Sequence, residues 1–407
     1  MRVGELCHVC PTVLGGHSFS WLKSLLLVTA VLASTTTATK TPPGYPPSPK
    51  IKGCLPKQPG SIDIFCPGDE GYGCYKIPTL LQTRNGTLLG MIEARKFSCD
   101  DKGYVGLRVR RSHDNGTTWG PSLLVHGNST DNGTWTTVGD AMMVQDPTTG
   151  IIFLLHTRNN TLLYLSRSNN EGVTWSAPRD VTATLKYGGM EGWIGSGHAG
   201  AIVLSSGPHL GRLIMPMYSI APYSIYSDDH GNTWHMGAAV SLPLKIMGGE
   251  NQIAETGFFT KDGTPILLIS IRNSPKVPVI ISGKGYRLQA LSHDGGITWS
   301  ISTENRQLFE PISGCEGSLV YHPGVRKLFF SHPDPPLELF RTNLRVWSSS
   351  NMGSTWEHHA IVWKQAAGYS ALTPIGKDQL GVLYDRNNHT MVVFEAQSVT
   401  FTVISAD

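Results

Sequence analysis

The stretch SHDNGTTW at residues 112–119 recurs four more times along the chain. The other copies read SNNEGVTW, SDDHGNTW, SHDGGITW and SSNMGSTW, and they lie at residues 168–175, 227–234, 292–299 and 349–356. The shared pattern is S-x-D/N-x-G-x-T-W, and its successive Trp residues are 56, 59, 65 and 57 positions apart. A nearly constant period of this size indicates a repeat fold, whose central face is often a binding or catalytic site.

Each copy of the motif has the chemistry of a tight hairpin turn. The Asp or Asn side chain accepts hydrogen bonds from nearby backbone N–H groups and closes the turn. The Gly supplies the positive φ that such a turn needs, and the Trp ring is a large apolar anchor. The motif residues are therefore predicted to build the scaffold, while the chemistry lies elsewhere.

The period and the length of the chain predict an all-β fold, a six-bladed β-propeller. The period leaves room for four short strands and their loops, which make one blade. Apolar runs typical of strands recur, for example at residues 151–155 and 265–271, whereas no long helical period does. Five motif copies and one blade that joins both chain ends give six blades, and this closure protects the sheet edges.

The N-terminal region is predicted to be a targeting segment and a linker. An apolar run at residues 25–33 is too short to span a bilayer comfortably, and the small residues before Ser34 fit a cleavage site. Residues 1–33 are therefore predicted to be a signal peptide, with a retained anchor as the alternative. Residues 34–50 form a Thr- and Pro-rich linker, and residues 51–407 form the propeller domain.

Glycosylation motifs and cysteines agree with a secretory route. Six N-x-S/T sequons occur, at Asn85, Asn115, Asn128, Asn132, Asn159 and Asn388. Five cysteines follow the predicted cleavage site, namely Cys54, Cys66, Cys74, Cys99 and Cys315. Because five is odd, at least one thiol is free or pairs with another chain, and the sequence leaves the pairing open.

Charge and ligand spacing exclude two classes of function. The net charge of +3 is ordinary for this length and does not indicate a nucleic-acid-binding surface. No C-x-x-C pair and no His cluster with metal-ligand spacing follows the apolar run, so the sequence predicts no metal and no cofactor.

Several polar residues outside the motif copies lie in apolar or glycine-rich surroundings. Arg272 directly follows the strand-like run at residues 266–271, Glu255 precedes that run, and Arg341 begins another. The glycine-rich segment 187–198 fits a substrate loop and an ordinary blade connection equally well. The remaining polar candidates are Lys76, Arg95, Asp100, Asp101, Glu316, Tyr369 and Asp385.

Four sequence features in the same order resemble the sialidase (neuraminidase) superfamily. They are YKIP at residues 75–78, GTLL at 86–89, EAR at 93–95, and the five motif copies, which correspond to the family's Asp boxes. The resemblance covers about residues 70–400 and is greatest to the animal lysosomal members. It differs from the family pattern at Lys76, where the family has Arg.

The resemblance implies a catalytic group of three residues. Tyr369 matches the nucleophile, and Glu255 matches the carboxylate that takes its proton. Asp101 matches the acid/base residue, with the neighbouring Asp100 as the alternative.

The resemblance also implies a substrate-binding group. Arg272 and Arg341 match two of the three arginines that bind the sugar carboxylate, and Arg95 matches a further arginine on the substrate side. Lys76 lies at the position of the remaining triad arginine. Asp385 lies where the family has a glutamate that supports that arginine.

The resemblance thus implies a retaining exo-α-sialidase that releases terminal sialic acid from glycoproteins, glycolipids or oligosaccharides. Sialic acid carries a carboxylate on its anomeric carbon, so a neutral tyrosine is a better nucleophile than a second carboxylate. The tyrosine needs an adjacent base, and the aspartate protonates the leaving oxygen. Arginine binds the substrate carboxylate with two parallel hydrogen bonds.

Lys76 leaves three functions open, because lysine offers a point charge and no bidentate contact. The chain is an active sialidase with a weakened carboxylate site, a glycosidase for a related 2-keto sugar acid, or a lectin-like protein that binds sialic acid without turnover. Losing one charge-assisted contact costs about 1.5–3 kcal/mol, which is roughly ten- to a hundredfold in rate. An enzyme survives such a loss, so the sequence favours activity over binding alone or a purely structural adhesion propeller.

The implied partners are sialylated glycans, with no nucleic acid and no membrane span after processing. The secretory route leads to the lysosome or to the extracellular space. By resemblance alone, a protective lysosomal carboxypeptidase is a further expected partner.

Overall fold

The computed structural model describes Cys54 and residues 58–127, 130–131, 134–189, 192–243, 246–275, 285–311, 314–335, 340–387 and 398–407. The predicted signal peptide or anchor and the linker lie outside the described residues, as do the sequons at Asn128, Asn132 and Asn388. The described residues belong to one unit, residues 47–407, and the predicted domain boundary at residue 51 stays a prediction.

Nearly all regular structure in these ranges is β-strand. The strands are β1 (Ser61–Phe65), β2 (Cys74–Gln82), β3 (Leu88–Arg95), β4 (Val105–Ser112), β5 (Leu123–His126), β6 (Thr130–Asp131), β7 (Thr134–Trp135), β8 (Val138–Gln145), β9 (Ile152–Arg158), β10 (Leu162–Ser168), β11 (Arg179–Asp180), β12 (Gly195–Ser196), β13 (Ile202–Val203), β14 (Leu213–Tyr218), β15 (Pro222–Ser227), β16 (His235–Met236), β17 (Ile246–Phe259), β18 (Pro265–Pro275), β19 (Gly285–Ser292), β20 (Thr303–Glu310), β21 (Ser318–His322), β22 (Lys327–Pro333), β23 (Thr342–Ser349), β24 (Glu357–Ile375), β25 (Gln379–Arg386) and β26 (Ser398–Ser405).

The helical elements of the described residues are short. They are one α-helix, α1 (Thr182–Leu185), and one 3-10 turn (Asp69–Gly71). Among the described residues, neither helical element could span a lipid bilayer.

Sequence neighbours pair antiparallel into separate sheets. Four-stranded sheets are formed by β2–β5, by β8–β11 and by β17–β20, and β12 to β16 form a five-stranded sheet. The long strand β24 belongs to two sheets, because its first part pairs with β23 and its second part pairs with β25. The first of these two sheets continues to β22 and β21, and the second continues from β25 to β26 and β1.

One sheet joins strands from both ends of the described chain. Strand β1 pairs with β26, which pairs with β25. A buried ion pair of 2.9 Å between Arg386 on β25 and Asp63 on β1 adds to this closure. The sequence-based expectation that both ends share one blade is therefore confirmed.

The sheets form a closed ring through their innermost strands. Strand β2 contacts β8, β8 contacts β12, β12 contacts β17, β17 contacts β21, β21 contacts β24, and β24 contacts β2. A closed ring of antiparallel sheets is a β-propeller, so the predicted fold class is confirmed. The exact number of blades stays a prediction.

The core lies between neighbouring sheets. All eight residues of β3 are buried. Leu89 and Met91 on this strand pack with Leu107 of the same sheet and with Met143 and Leu154 of the next sheet. Strands that are buried on both faces appear in the sequence as continuous apolar runs rather than as alternating patterns.

The five motif copies form the predicted hairpin turns. In the first copy, Ser112 Oγ donates to Asp114 Oδ1 at 2.8 Å and accepts from Gly116 N at 2.8 Å. Asp114 Oδ1 also accepts from Thr118 N at 2.9 Å. Asn115 and Gly116 have φ of 55° and 87°, and two consecutive positive φ values characterise a type I′ turn. The five turns share one form because each depends on this local hydrogen bonding.

Candidate active site

The ring of innermost strands brings distant charged residues together. Lys76 lies on β2, and Glu250 lies on β17. Tyr369 lies on β24, where that strand passes from one sheet to the next. Because innermost strands line the axis of a propeller, side chains far apart in the sequence meet there.

Tyr369 forms a buried cluster with Glu250 and Arg272. The Tyr369 hydroxyl donates a short hydrogen bond to Glu250 Oε1. Arg272 Nη1 donates to both carboxylate oxygens of Glu250 at 2.7 Å and to Tyr369 Oη at 3.0 Å. The cluster therefore joins a hydroxyl, a carboxylate and a guanidinium in direct contact.

The electrostatics of this cluster keep the proton on the tyrosine. Burial, followed by the charge of Glu250, raises the pKa of Tyr369 well above 10.0. Burial alone raises the pKa of Glu250, but the charge of Arg272 opposes it, and the pKa falls to about 2. The resting state is a neutral phenol beside an ionised carboxylate, which is the protonation that a nucleophile and its base require.

The prediction that Glu255 pairs with Tyr369 is wrong. The Glu255 carboxylate accepts hydrogen bonds from Ser205 N and Ser205 Oγ, both at 2.7 Å. Glu255 is opposite Leu267 in the sheet, five positions along β17 from Glu250, or about 16 Å at 3.3 Å per residue. Glu255 therefore lies far along β17 from Glu250, the residue of that strand that contacts Tyr369.

Glu250 takes the position that was assigned to Glu255. The register of β17 against β18 shifts between Gly248, opposite Asn273, and Asn251, opposite Ile271. This bulge sets Glu250 beside Arg272, which lies between those two partners. The pair Gly248-Gly249 inside a strand was the available signal, because glycines within strands often mark bulges.

Arg95 holds Asp101 and Glu93 on another side of the site. Arg95 Nη1 donates to Asp101 Oδ1 at 2.8 Å, while Nε and Nη2 donate to Glu93 Oε2 at 3.1 and 2.7 Å. The Asp101 side chain is 67% exposed, whereas Arg95 and Glu93 are buried. Desolvation by the surrounding protein atoms raises the pKa of Asp101, but the charges of Arg95 and Lys76 outweigh it and lower the pKa overall.

The neighbouring Asp100 hydrogen-bonds within its own loop. Its Oδ2 accepts a hydrogen bond from Ser98 Oγ at 2.8 Å, and the residue is exposed. Of the two aspartates that the sequence left open, Asp101 is therefore the one that contacts Arg95.

Lys76 is buried and interacts with the site through its charge. Burial, followed by the charge of Arg95, lowers the pKa of Lys76, while Asp385 opposes this change. The next residue, Ile77, has φ of 60°, which is unfavourable for a β-branched side chain. Such strain is typical of functional sites, and Ile77 packs here against Tyr369.

Asp385 supports the backbone of Tyr369 as well as facing the charge of Lys76. Its Oδ1 accepts from the N–H groups of Gly368 and Tyr369 at 2.9 and 3.0 Å. Its Oδ2 is buried without a hydrogen-bond partner. The carboxylate thus fixes the strand that carries the tyrosine.

Arg341 lies beside the tyrosine ring. Its guanidinium is 5.6 Å from the centroid of Tyr369, and Nη2 donates to the carbonyl of Gly314 at 2.9 Å. Gly314 has φ of 66°, and a Cβ there would lie 2.8 Å from Cγ of Arg272. A glycine is therefore needed where Arg341 and Arg272 converge.

Asp140 and His198 are further site residues, and sequence reasoning missed the first and left the second open. His198 Nδ1 lies 3.4 Å from Asp140 Oδ1, and the His198 ring lies 5.9 Å from the Tyr369 ring. Burial lowers the pKa of His198 to about 4, and burial with the charges of Glu93 and Glu250 raises the pKa of Asp140. Both residues have positive φ, 50° and 62°, which the sequence does not reveal.

Glu316, the other open candidate, contacts the strand that carries Tyr369. Its Oε2 accepts from Ser370 N at 3.2 Å, and its Oε1 is buried without a partner. Burial raises the pKa of Glu316. Its observed contact is thus with the backbone of the strand that carries Tyr369.

A separate cavity of about 590 Å³ lies elsewhere on the protein. It is lined by segments 58–62, 115–117 and 401–403, which contain no titratable side chain. This cavity lacks the acid and base groups of the site around Tyr369.

Comparisons with known proteins give the family. The sequence profile of the BNR repeat-like domain matches residues 86–382. The sialidase of Micromonospora viridifaciens is 29% identical over 401 residues, which cover 89% of this chain and 57% of that protein. The chain belongs to the sialidase superfamily of BNR-repeat proteins.

The similarity of this sialidase-superfamily chain extends to animals. Sialidase-2 of Mus musculus is 26% identical over 376 residues, which cover 80% of the chain and 92% of the mouse protein. The greater likeness to lysosomal members stays a prediction. The chain spans a little over half the length of the Micromonospora sialidase, 57%.

Solved structures of the superfamily have the same fold. The Hadza microbial sialidase Hz136 matches with a TM-score of 0.69 at 25% identity, covering 85% of this chain and 68% of that chain. The Trypanosoma rangeli sialidase in complex with sialic acid matches with a TM-score of 0.63 at 20% identity, covering 86% and 59%.

Proposed function

We propose that the chain is a retaining exo-α-sialidase that releases terminal sialic acid from glycoproteins, glycolipids or oligosaccharides. The hydrogen bond between the Tyr369 hydroxyl and Glu250 carries this proposal. A phenol beside an ionised base suits a substrate whose anomeric carbon bears a carboxylate. The relatives in bacteria and animals that are named sialidases support the same reading.

The first step forms a glycosyl–tyrosine. Tyr369 Oη attacks the anomeric carbon while Glu250 takes the phenolic proton. The bond from the anomeric carbon to the leaving oxygen breaks, and Asp101 gives its proton to that oxygen. The Trypanosoma rangeli sialidase has been solved with 2,3-difluorosialic acid as a covalent intermediate, which supports a covalent step in this chain also.

The second step releases the sugar. The Asp101 carboxylate takes a proton from water, whose oxygen attacks the anomeric carbon. The bond to Tyr369 breaks, and the phenolate recovers its proton from Glu250. Two displacements at the same carbon retain its configuration.

Binding of the substrate carboxylate prepares Asp101 for the first step. Arg95 and Lys76 hold the pKa of Asp101 low in the free protein. We assign the substrate carboxylate to Lys76 and Arg341, and its negative charge offsets the positive field there. The pKa of Asp101 therefore rises on binding, which favours the protonated form that the first step needs.

The contact between Tyr369 and Glu250 also favours an enzyme over a lectin-like protein. Binding alone needs cations for the carboxylate, whereas a buried phenol bonded to a base serves nucleophilic attack. A related 2-keto sugar acid remains the second candidate substrate, because Lys76 alters the carboxylate site.

Two disulfides support the proposed secretory location, lysosomal or extracellular. Cys54 pairs with Cys66, and Cys74 pairs with Cys99. Disulfides persist in oxidising compartments. Cys315 is the one free cysteine of the described residues, as an odd number of cysteines predicts. The carboxypeptidase partner stays a prediction.

The test is hydrolysis of aryl α-sialosides by the purified full chain. The N-acetyl sugar and its 5-hydroxy analogue are compared from acidic to neutral pH, and NMR follows which anomer appears first. We expect release of the α-anomer. Release of the β-anomer first would contradict a retaining mechanism. If neither sugar were released, the proposed hydrolase function would be refuted.

Lys76→Arg is expected to extend activity to higher pH. Burial and the charge of Arg95 lower the pKa of Lys76, so in the free enzyme this lysine loses its charge at a lower pH than an exposed lysine. The substrate carboxylate binds the protonated form, so kcat/KM falls as pH rises through this pKa. Arginine stays charged, so the alkaline limb of the kcat/KM profile should move upward.

The matched control for this prediction is Lys76→Met, which has no charge at any pH. It should lower kcat/KM about ten- to a hundredfold, since one charge-assisted contact is lost. If the kcat/KM profiles of the wild type and of Lys76→Arg had the same alkaline limb, Lys76 would not bind the substrate carboxylate.

A further inference from the structure

A disulfide ties the loop of Asp101 to the strand of Lys76. Cys74 is the first residue of β2 and is opposite Arg95 at the end of β3. Cys99 lies in the loop of residues 96–104 that leaves β3 at this end, two positions before Asp101. The bridge thus joins two residues that are 25 positions apart in the sequence, at the edge of the site, with a Cα–Cα distance of 5.4 Å.

The same arginine contacts both Cys99 and Asp101. Arg95 Nη1 donates to the carbonyl of Cys99 and, at 2.8 Å, to Asp101 Oδ1. A shift of Cys99 therefore moves the partner that orients the Asp101 carboxylate. The bridge, the arginine and the aspartate form one connected unit.

Packing does little to orient the Asp101 side chain, which is 67% exposed. Its backbone carbonyl accepts one bond from Asn160 Nδ2 at 2.9 Å. Further along the loop, Thr137 Oγ1 accepts from Gly103 N and donates to Gly103 O at 2.9 and 3.1 Å. These contacts hold the second half of the loop, whereas the disulfide holds the first half.

We propose that the Cys74–Cys99 disulfide is a positioning element that keeps Asp101 aimed at the leaving oxygen. This inference rests on the proposed hydrolase function, in which Asp101 is the acid. Without the bridge, the first half of the loop is held by Arg95 and backbone contacts, and proton transfer suffers because it requires hydrogen-bond distance. Tyr369 and Glu250, on other strands, keep their contact.

The consequence depends on the leaving group. An alcohol leaving group, as in sialyllactose, needs the proton from Asp101. A 4-methylumbelliferyl leaving group departs as a stable phenolate and needs it much less. Loss of the bridge should therefore impair the two substrates unequally, which a general loss of stability would not do.

The chain offers a matched control in its second disulfide. Cys54 and Cys66 are 12 positions apart, and Cys66 N bonds to Asp69 Oδ2 rather than to a residue of the site. Replacing this bridge removes a cross-link of the same kind without touching the loop of Asp101.

The experiment compares the wild type, Cys74→Ser with Cys99→Ser, and Cys54→Ser with Cys66→Ser in the full chain. We expect the first double variant to lose about 10²-fold in kcat/KM on sialyllactose and only a few-fold on the 4-methylumbelliferyl sialoside. The control variant should lose equally little on both. Equal losses on both substrates, or no loss on either, would overturn the proposal.

If the Cys74→Ser, Cys99→Ser variant does not fold, a second measurement tests the proposal. The folded Cys54→Ser, Cys66→Ser protein is reduced with a phosphine, alkylated, and mapped by mass spectrometry to confirm that Cys74 and Cys99 are modified. The same leaving-group ratio is then measured, and an unchanged ratio overturns the proposal. A wild type that is inactive on both substrates would instead refute the proposed function.

Discussion

Glu250→Gln is expected to lower kcat/KM by about 10²–10⁴-fold, whereas Glu255→Gln is expected to leave it within about twofold. Glutamine keeps the size of Glu250 but does not take the proton of Tyr369. The pKa of Glu250 is about 2, so the wild-type base is ionised throughout the acidic and neutral range. Within the described residues, the Glu255 carboxylate accepts hydrogen bonds only from Ser205.

The comparison between these two variants also controls for stability. Glu255→Gln loses charge-assisted bonds to Ser205, so it lowers the free energy of unfolding by about 1.5–3 kcal/mol at most. Thermal unfolding measured beside kcat/KM separates this cost from catalysis. A large rate loss in Glu255→Gln with an unimpaired Glu250→Gln would restore the original assignment and refute the geometry.

Tyr369→Phe is expected to lower kcat by more than about 10³-fold, because the proposed nucleophile is lost. Phenylalanine keeps the ring that packs against His198 at 5.9 Å and Arg341 at 5.6 Å. It removes only the hydroxyl that bonds Glu250 and Arg272. Binding of free sialic acid should therefore change much less than kcat.

Covalent labelling makes this second prediction specific to the nucleophile. The wild type treated with 2,3-difluorosialic acid should gain one fluorosialyl group on the peptide that contains Tyr369, as mass spectrometry would detect. The Tyr369→Phe protein should gain none. A label on another residue, or wild-type turnover by the phenylalanine variant, would rule out Tyr369 as the nucleophile.

The propeller was predictable because its signals are local. Each hairpin turn depends on a Ser, an Asp or Asn and a Gly within five positions, as in residues 112–116. Repetition of such a turn at nearly constant spacing predicts repeated sheets. The pairing of β1 with β26 in one blade was predicted from the same count of repeats, because five motif copies leave one blade to be formed by both chain ends.

The site was predictable where a residue type is unusual for its surroundings. Arg272 and Arg341 stood out because each is a charge at the border of a strand-like run, and the structure brings both to Tyr369. Glu250 was missed because its position depends on a register shift at Gly248 and Gly249. A single-residue shift turns a side chain to the other face of a sheet, and the two glycines indicate a bulge without fixing which side chain it turns toward the site.

Asp140 and His198 escaped for a related reason. Their positions depend on positive φ values at residues that are not glycine. Only the surrounding fold determines such conformations. The partner of Cys99 also depends on the antiparallel register that sets Cys74 opposite Arg95.

The pairing of β1 with β26 has a consequence for biosynthesis. Asp63 and Arg386 are 323 positions apart, and contacts of such long range form late during folding. The second half of β24, which carries Tyr369, belongs to the sheet that these ends complete. We therefore expect the proposed nucleophile Tyr369 to become active only after β1 and β26 have paired and the ring of sheets is closed.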